Sequence, residues 1–211
     1  MAQGIPNMQE LPQEPNIYLA SHNKHKLLEF QSLMGQRLQS LAHFDDDRLK
    51  EPPEETGRDF FTNAWIKAKN AHRILGHPVL ADDSGLCVAG LDGGPGIWSA
   101  RFAGANASDL GNRRKLIEAC RHLDPKGLIA QFVCVLCYID ENGGVFFAKG
   151  TCEGEILLEE KGQEGFGYDS VFYLPELGCT MAELSSESKN RLSHRAKAVQ
   201  MLLNSLGANH S

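Results

Sequence analysis

The sequence predicts an α/β protein, a mixed sheet with helices packed around it. Three observations carry this. Short apolar runs alternate with segments whose apolar residues recur at helical spacing through the first half. A hairpin signal, Asp140-Glu141-Asn142-Gly143, joins two apolar runs in the middle. A long amphipathic segment closes the chain. Helices and strands in this order favour one sheet flanked by helices.

Residues 1–15, polar and proline-dotted, read as an extension. Ile17–Ala20 is a short strand and Ser21–Lys26 a polar turn. A helix follows with Leu27, Phe30 and Met34 on one side. Residues 43–57 form a charged loop holding Pro52 and Pro53. Thr56-x-x-Asp59 then has the form of a helix N-cap, ahead of a face of Phe60, Ala64, Ala68, Ala71 and Leu75. Pro78–Ala81 is a short strand that delivers Asp82, Asp83 and Ser84 at its C-terminal end. Residues 91–96, LDGGPG, are a turn. Ser108 starts a helix that uses Leu116, Ala119 and Leu123. Ile129–Ile139 and Val145–Thr151 are the hairpin strands, and Val171–Leu174 is another strand. One long last helix starts near Ser185 or Ser186 and buries Leu192, Ala196, Val199, Leu203 and Leu206.

The chain has 211 residues, 42% apolar, with 21 Lys and Arg against 27 Asp and Glu, a net charge of −6. That is too apolar for a disordered chain and too acidic for a protein that coats nucleic acid. No secretion signal opens the chain and no 18-residue apolar run could span a membrane. The six cysteines are scattered through core-like segments. Cys134 and Cys137 form a C-x-x-C without a matching second pair, inside a buried strand, so they read as packed thiols. The expected location is the reducing cytoplasm.

The common phosphate cradles and hydrolase motifs, G-x-x-x-x-G-K-[ST], G-x-G-x-x-G and G-x-S-x-G, are missing. Chemistry falls instead to five less standard pieces. Asp82-Asp83-Ser84 brings two repelling carboxylates together, an arrangement that a hard cation such as Mg²⁺ relieves. On a strand they point to opposite faces, so one of them faces the substrate directly. Ser21-His22-Asn23-Lys24-His25-Lys26 precedes a helix, where backbone N–H groups and lysines attract anions. Gly165-Phe166-Gly167-Tyr168-Asp169 lets the backbone approach a flat ligand while a ring stacks on it. Lys189, His194 and Arg195 could hold phosphate or a purine carbonyl. Glu54 and Glu55 add carboxylates from a separate loop. Singly, each piece also reads as an ordinary cap, turn or solvated face.

Taken together and in order, these segments resemble the inosine/xanthosine triphosphate pyrophosphatase family. The matching stretches are IYLASHNKHKLLEF, EETGRDFFTNAWIKAKNA, VLADDSGLCVAGLDGGPGIWSARFAG, EGFGYDSVFYLPELGCTMAEL and ESKNRLSHRAKAV, covering about residues 17–206. The resemblance implies a single two-lobed domain over residues 16–207, with a central mixed sheet flanked by helices and a nucleotide cleft between the lobes. It implies a homodimer; the acidic balance and the lack of a long apolar run speak against nucleic acid and membrane as partners. The implied reaction is Mg²⁺-dependent hydrolysis of the non-standard purine nucleoside triphosphates ITP, dITP and XTP to the monophosphate and pyrophosphate, cleansing the nucleotide pool. By motif, Ser21, His22, Asn23, Lys24, His25 and Lys26 would wrap the triphosphate, Asn23 and Lys26 foremost. Asp83 would bind Mg²⁺ and act as general base, Glu54 would assist with the metal, and Ser84 would touch substrate. Phe166, Gly167, Tyr168 and Asp169 would embrace base and sugar, with Phe166 stacking on the purine. Lys189, His194 and Arg195 would complete base and phosphate recognition. His22 stands where the family has glycine, Ser170 where it has proline and Trp98 where it has tyrosine. A pyrophosphatase of different base preference and a non-catalytic nucleotide-binding regulator are the competing readings.

Overall fold

A computed structural model describes residues 17–35, 38–40 and 49–208. The expected extension over residues 1–15, and residues 43–48 of the expected loop, lie outside them. The described residues build one seven-stranded mixed sheet, order β2-β1-β3-β4-β5-β6-β7. Its strands are β1 (Ile17–Leu19), β2 (Leu38–Ser40), β3 (Val79–Val88), β4 (Ile129–Ile139), β5 (Val145–Ile156), β6 (Phe172–Leu174) and β7 (Cys179–Thr180). The helices are α1 (Lys24–Met34), α2 (Phe60–Leu75), α3 (Asp109–Cys120), α4 (Ser186–Leu192) and α5 (His194–Ala208).

Strand β1 pairs in parallel with both β2 and β3, and the remaining strands are antiparallel. The two crossovers, from β1 to β2 and from β2 to β3, pass over opposite faces of the sheet. Helix α1, running on to β2, packs Phe30 and Met34 with Ile17, Leu19 and Leu80 on one face, where α5 adds Ala198, Val199 and Leu202. Helix α2, running on to β3, packs Ala64, Ala68 and Ala71 against Val79, Ala81 and Val135 on the other. Open α/β sheets bind ligands in the crevice beyond a strand's carboxyl end where the connections turn to different faces, which here is the end of β1. A third core surrounds Leu86, Leu116, Phe132, Tyr168 and Phe172 at the far end of the long strands. The three cores form two lobes, two on the faces of one end and the third at the other, joined by β3, β4 and β5.

Several boundaries differ from the sequence reading. Strand β3 does not stop at Ala81 but runs through Asp82, Asp83 and Ser84, which pair with Leu136, Val135 and Cys134 of β4. Two buried acids interrupt the apolar pattern, and the pairing with β4 holds the strand through them. Lys24, His25 and Lys26 are the first turn of α1, capped by Asn23, instead of a free turn. Asp59 alone caps α2, its side chain accepting from Thr62 N. The C-terminal helix begins where expected, with Ser185 as its cap, but breaks at Ser193, whose φ and ψ of −66° and 158° are extended. Leu192 at that break is exposed, and on α3 the buried side chain is Cys120, not Ala119. Strand β5 extends past Thr151 to Ile156, and the short β2 and β7 have no signal of their own.

Among the described residues no helix is long and apolar enough to cross a membrane. The six cysteines, all among them, are free thiols. Cys134 and Cys137 join the cores on opposite faces of the sheet, so they cannot ligate one ion together. Burial pushes both thiols up to about 12.

Candidate active site

A cleft of about 210 Å³ opens at the carboxyl end of β1, beside Asp82 in the body of β3, and is lined by Ser21, His22, Asn23, Lys26, Glu55, Lys67 and Asp82 among others. Its rim is the start of α1. Asn23 Oδ1 accepts from the backbone N–H of His25 (2.9 Å) and Lys26 (3.1 Å), and Ser21 Oγ accepts from Asn23 N (3.3 Å). His22 donates from Nε2 to the Leu49 carbonyl at 2.8 Å, tying this turn to the 49–55 segment. Asp92 is the sole non-glycine with positive φ among the described residues. The backbone at His22 is therefore one that a side chain adopts freely, which explains how histidine replaces the family glycine there.

Asp82 and Asp83 alternate across the sheet. On the α1 side Asp82, 1% exposed, accepts from Lys26 Nζ and Ser84 Oγ, each at 2.7 Å. Burial alone would raise its carboxyl, but Lys26, Lys67 and Arg195 outweigh burial and hold it well below the usual carboxylate range. On the α2 side Asp83 accepts from Lys67 Nζ (3.0 Å) and Asn63 Nδ2 (3.3 Å). Here burial prevails over Lys67 and Lys26, and the carboxyl is raised. One side chain is thus locked as an anion while its neighbour is a better proton acceptor.

Lys67 Nζ also reaches Glu55 (3.1 Å), which pairs with Arg101 (3.4 Å). Burial opposes the Lys67 charge, yet Asp82, Asp83 and Glu55 raise its pKa. Glu54, the expected metal assistant, is exposed and makes no hydrogen bond or ion pair among the described residues; its neighbour Glu55 turns inward. No group of three or more His, Cys, Asp or Glu among the described residues forms a metal cage. The donor set nevertheless suits Mg²⁺, a hard ion that uses one or two carboxylates beside phosphate oxygens and keeps its waters. Asp83, with Glu54 or Glu55, supplies that number.

Beside this cluster lies a second one, built by the break at Ser193. It leaves Lys189 on α4 and starts α5 with His194 and Arg195, all three buried. Glu29 of α1 joins them, 2.5 Å from Lys189 Nζ and 2.9 Å from Arg195 Nη1. Lys189 Nζ also donates to Asp169 at 2.7 Å. Burial raises the Asp169 carboxyl despite Lys189. Burial opposes the Arg195 charge, but Glu29 and Asp82 outweigh it and keep the guanidinium charged. Burial, then Arg195 and Lys189, hold His194 well below the usual histidine range, so its ring is neutral. His194 stacks on Phe132 at 4.8 Å, and its Nδ1 and Arg195 Nε are buried without a partner in the protein.

The 165–169 loop closes the second cluster. Gly165 has φ +77°, and a Cβ there would lie 2.1 Å from Asp169 Oδ2, so only glycine fits. Asp169 Oδ2 accepts from Phe166 N (2.9 Å), Gly167 N donates to Asp109 (2.8 Å), and Arg113 donates to the Gly167 carbonyl (2.9 Å). Tyr168 Oη donates to the Ser99 carbonyl at 2.8 Å. Ser99 Oγ in turn accepts from Leu86 N (2.9 Å) and donates to the Gly96 carbonyl (2.6 Å). Gly85 allows this approach, since a Cβ there would sit 2.2 Å from Gly96 O. Ser170, at the family's proline position, donates to Glu160 at 3.0 Å.

The structure thus brings Lys26, Asp82, Asp83 and Ser84 together, and Phe166, Asp169, Lys189, His194 and Arg195 beside them. Lys24 is exposed, and the His25 ring lies against Phe166. The sequence reading missed Glu29, Asn63 and Lys67. Asn63, Lys67 and Asn70 form a polar line at i, i+4 and i+7 beside the alanine face of α2, the signal that could have exposed two of them.

The sequence model of the Ham1 family matches residues 17–205. A dITP/XTP pyrophosphatase of Pseudomonas aeruginosa is 45% identical over 195 residues, covering 90% of this chain and 96% of that protein. Among solved structures, a HAM1 protein from Coxiella burnetii is 40% identical, with a TM-score of 0.80 over 91% of this chain and 98% of its own. The Staphylococcus aureus Ham1 protein is 39% identical, with a TM-score of 0.79 over 92% and 98%.

Proposed function

The chain belongs to the Ham1 family, and on that premise we propose that it is a nucleoside triphosphate pyrophosphatase acting on ITP, dITP and XTP with Mg²⁺. It would release monophosphate and pyrophosphate and so keep these bases out of nucleic acid. The observation that carries the reading is the split pair on β3: Asp82 held anionic by Lys26, and Asp83 raised beside Lys67.

Hydrolysis at the α-phosphorus needs an oriented water, a base and neutralised phosphate charge more than covalent chemistry. The positive end of the α1 dipole, with the Lys26 ammonium that lines the cleft, attracts the triphosphate. Asp82 fixes Lys26 at 2.7 Å, so that this cation is in place before substrate arrives. Asp83 takes the proton of the attacking water, and a positioned base of this kind contributes roughly 10²–10⁴-fold. Lys67 stands beside it, ready to share phosphate charge as Asp83 turns to its task. Bound through Asp83 with Glu54 or Glu55, Mg²⁺ would polarise the phosphoryl oxygens and lower the pKa of a bound water.

Phe166 offers a ring for the base, with Lys189 and Arg195 beside it as donors for a 6-oxo group. An adenine presents an amino donor there, which can accept from neither cation, and a site built to bond a polar group rejects the analogue that cannot make the bond. The test is pyrophosphate release from ITP, XTP and dITP against ATP and GTP at equal concentration. The reading expects ITP, XTP and dITP to exceed ATP by at least about a hundredfold in kcat/KM. Equal rates across the panel would replace it with a general nucleotide pyrophosphatase.

A further inference from the structure

The ring proposed to receive the base already has a partner. The His25 imidazole lies 5.1 Å from the Phe166 ring, centroid to centroid, with the planes 19° apart. That is an offset stack. Lys189 Nζ and Arg195 Cζ approach the same ring at 5.0 and 5.1 Å.

The two halves of the stack are held very differently. Phe166 is built in: its own amide, Gly165 and Gly167 are fixed by Asp169, Asp109 and Arg113. His25 is anchored only through its backbone, whose N–H donates to Asn23 Oδ1 at 2.9 Å. Its side chain is exposed and makes no hydrogen bond among the described residues. The imidazole can therefore rotate away at the cost of one aromatic contact, while Phe166 stays.

We propose that His25 is a placeholder for the purine base: it covers the Phe166 ring in the free protein and swings aside when a base stacks there. The proposal rests on the reading of Phe166 as the base platform. Its consequence is a toll on affinity. A ligand binds only the fraction of molecules whose ring is uncovered, so its apparent Kd is the intrinsic value divided by that fraction. A stacked aromatic pair corresponds to about two- to tenfold in population. Because the stack ignores the substituent at position 6, His25 sets how tightly bases bind and not which base is chosen.

The probe is IMP, which carries the base without a bond to hydrolyse. Calorimetry on the full chain compares wild type with His25→Ala, His25→Trp and Phe166→Ala. His25→Ala should bind IMP about two- to tenfold tighter, and His25→Trp more weakly, with the IMP-to-AMP ratio unchanged in both. In the wild type the His25 imidazole resonances, shifted upfield by the Phe166 ring, should move downfield as IMP is added. If His25→Ala binds IMP more weakly, His25 clamps the base and the placeholder is wrong; an unchanged affinity makes it idle and equally overturns the proposal. If Phe166→Ala binds IMP as well as wild type, the platform reading itself falls, and the proposal with it. A weakened Phe166→Ala beside an unimproved His25→Ala would leave the platform standing and remove only the placeholder.

Discussion

Replacing Asp82 with asparagine keeps its shape and removes one charge from the buried ion cluster it shares with Lys26 and Asp83's partner Lys67. Asp82 is 1% exposed and meets Lys26 Nζ at 2.7 Å, with Lys67 and Arg195 near enough to lower its pKa. The variant leaves three cations facing a neutral amide. Breaking a buried pair on one side costs about 3–5 kcal/mol. The Lys26 side chain is 17% exposed, so the lower end, about 3 kcal/mol, applies. For a chain of this length that lowers Tm by roughly 6–12 °C. The sign with pH follows from the depressed pKa. Asp82 contributes stability in full above its ordinary value of 3.8, and loses it as pH falls through the folded-state value below that. The gap between wild type and Asp82→Asn should therefore be flat at neutral and mildly acidic pH and close under more acidic conditions. Adding Lys26→Met to Asp82→Asn should recover more than about 1 kcal/mol, because the lone ammonium goes too. Urea melts followed by circular dichroism at several pH values read all of this. A loss below about 1 kcal/mol, the worth of an exposed pair, or a gap that persists in strong acid, would mean that Asp82 is not a buried, charge-paired anion.

Other perturbations have equally definite outcomes. Glu29→Gln removes the carboxylate shared by Lys189 and Arg195, and should raise KM for ITP roughly 10- to 100-fold, since such charged hydrogen bonds are worth about 1.5–3 kcal/mol; steady-state kinetics with an unmoved KM would contradict it. Gly165→Ala forces a Cβ against Asp169 at a positive φ, and should cost about 2–4 kcal/mol in a denaturant melt together with base affinity. His22→Gly removes the contact to Leu49, worth about 0.5–1.5 kcal/mol. Since the turn needs no left-handed residue there, turnover of ITP should not rise, and a large gain would show that the histidine obstructs the cradle.

Much of the frame was legible because local chemistry and global fold agree. The alanine face of α2, the Asn-Gly hairpin and the Ser108 and Ser185 caps announce elements that the tertiary structure keeps. The illegible parts are those where distant groups overrule local preference. Asp82-Asp83-Ser84-Gly85 is a poor strand by itself, and stays in β3 because β4 pairs with it and lysines from α1 and α2 neutralise it. The break at Ser193 interrupts a smooth helical pattern, yet it points His194 and Arg195 toward Glu29 and Asp82. Of the site, the motif residues were readable as types, while their partners were not. Glu29 and Lys67 sit on helices where a charged residue ordinarily faces water, and only the packing of those helices turns them inward. Glu54 and Glu55 are indistinguishable in sequence, whereas the structure turns only Glu55 toward Lys67.

As proposed, Asp83 is the base of a Mg²⁺-dependent hydrolysis that yields pyrophosphate. The most direct test of that proposal is pyrophosphate and orthophosphate release from ITP, with Mg²⁺ and with EDTA, by wild type and by Asp83→Asn. Pyrophosphate should appear only with Mg²⁺, and the variant should lose about 10²–10⁴-fold in kcat. Undiminished turnover by Asp83→Asn, activity in EDTA, or orthophosphate as the product would contradict it.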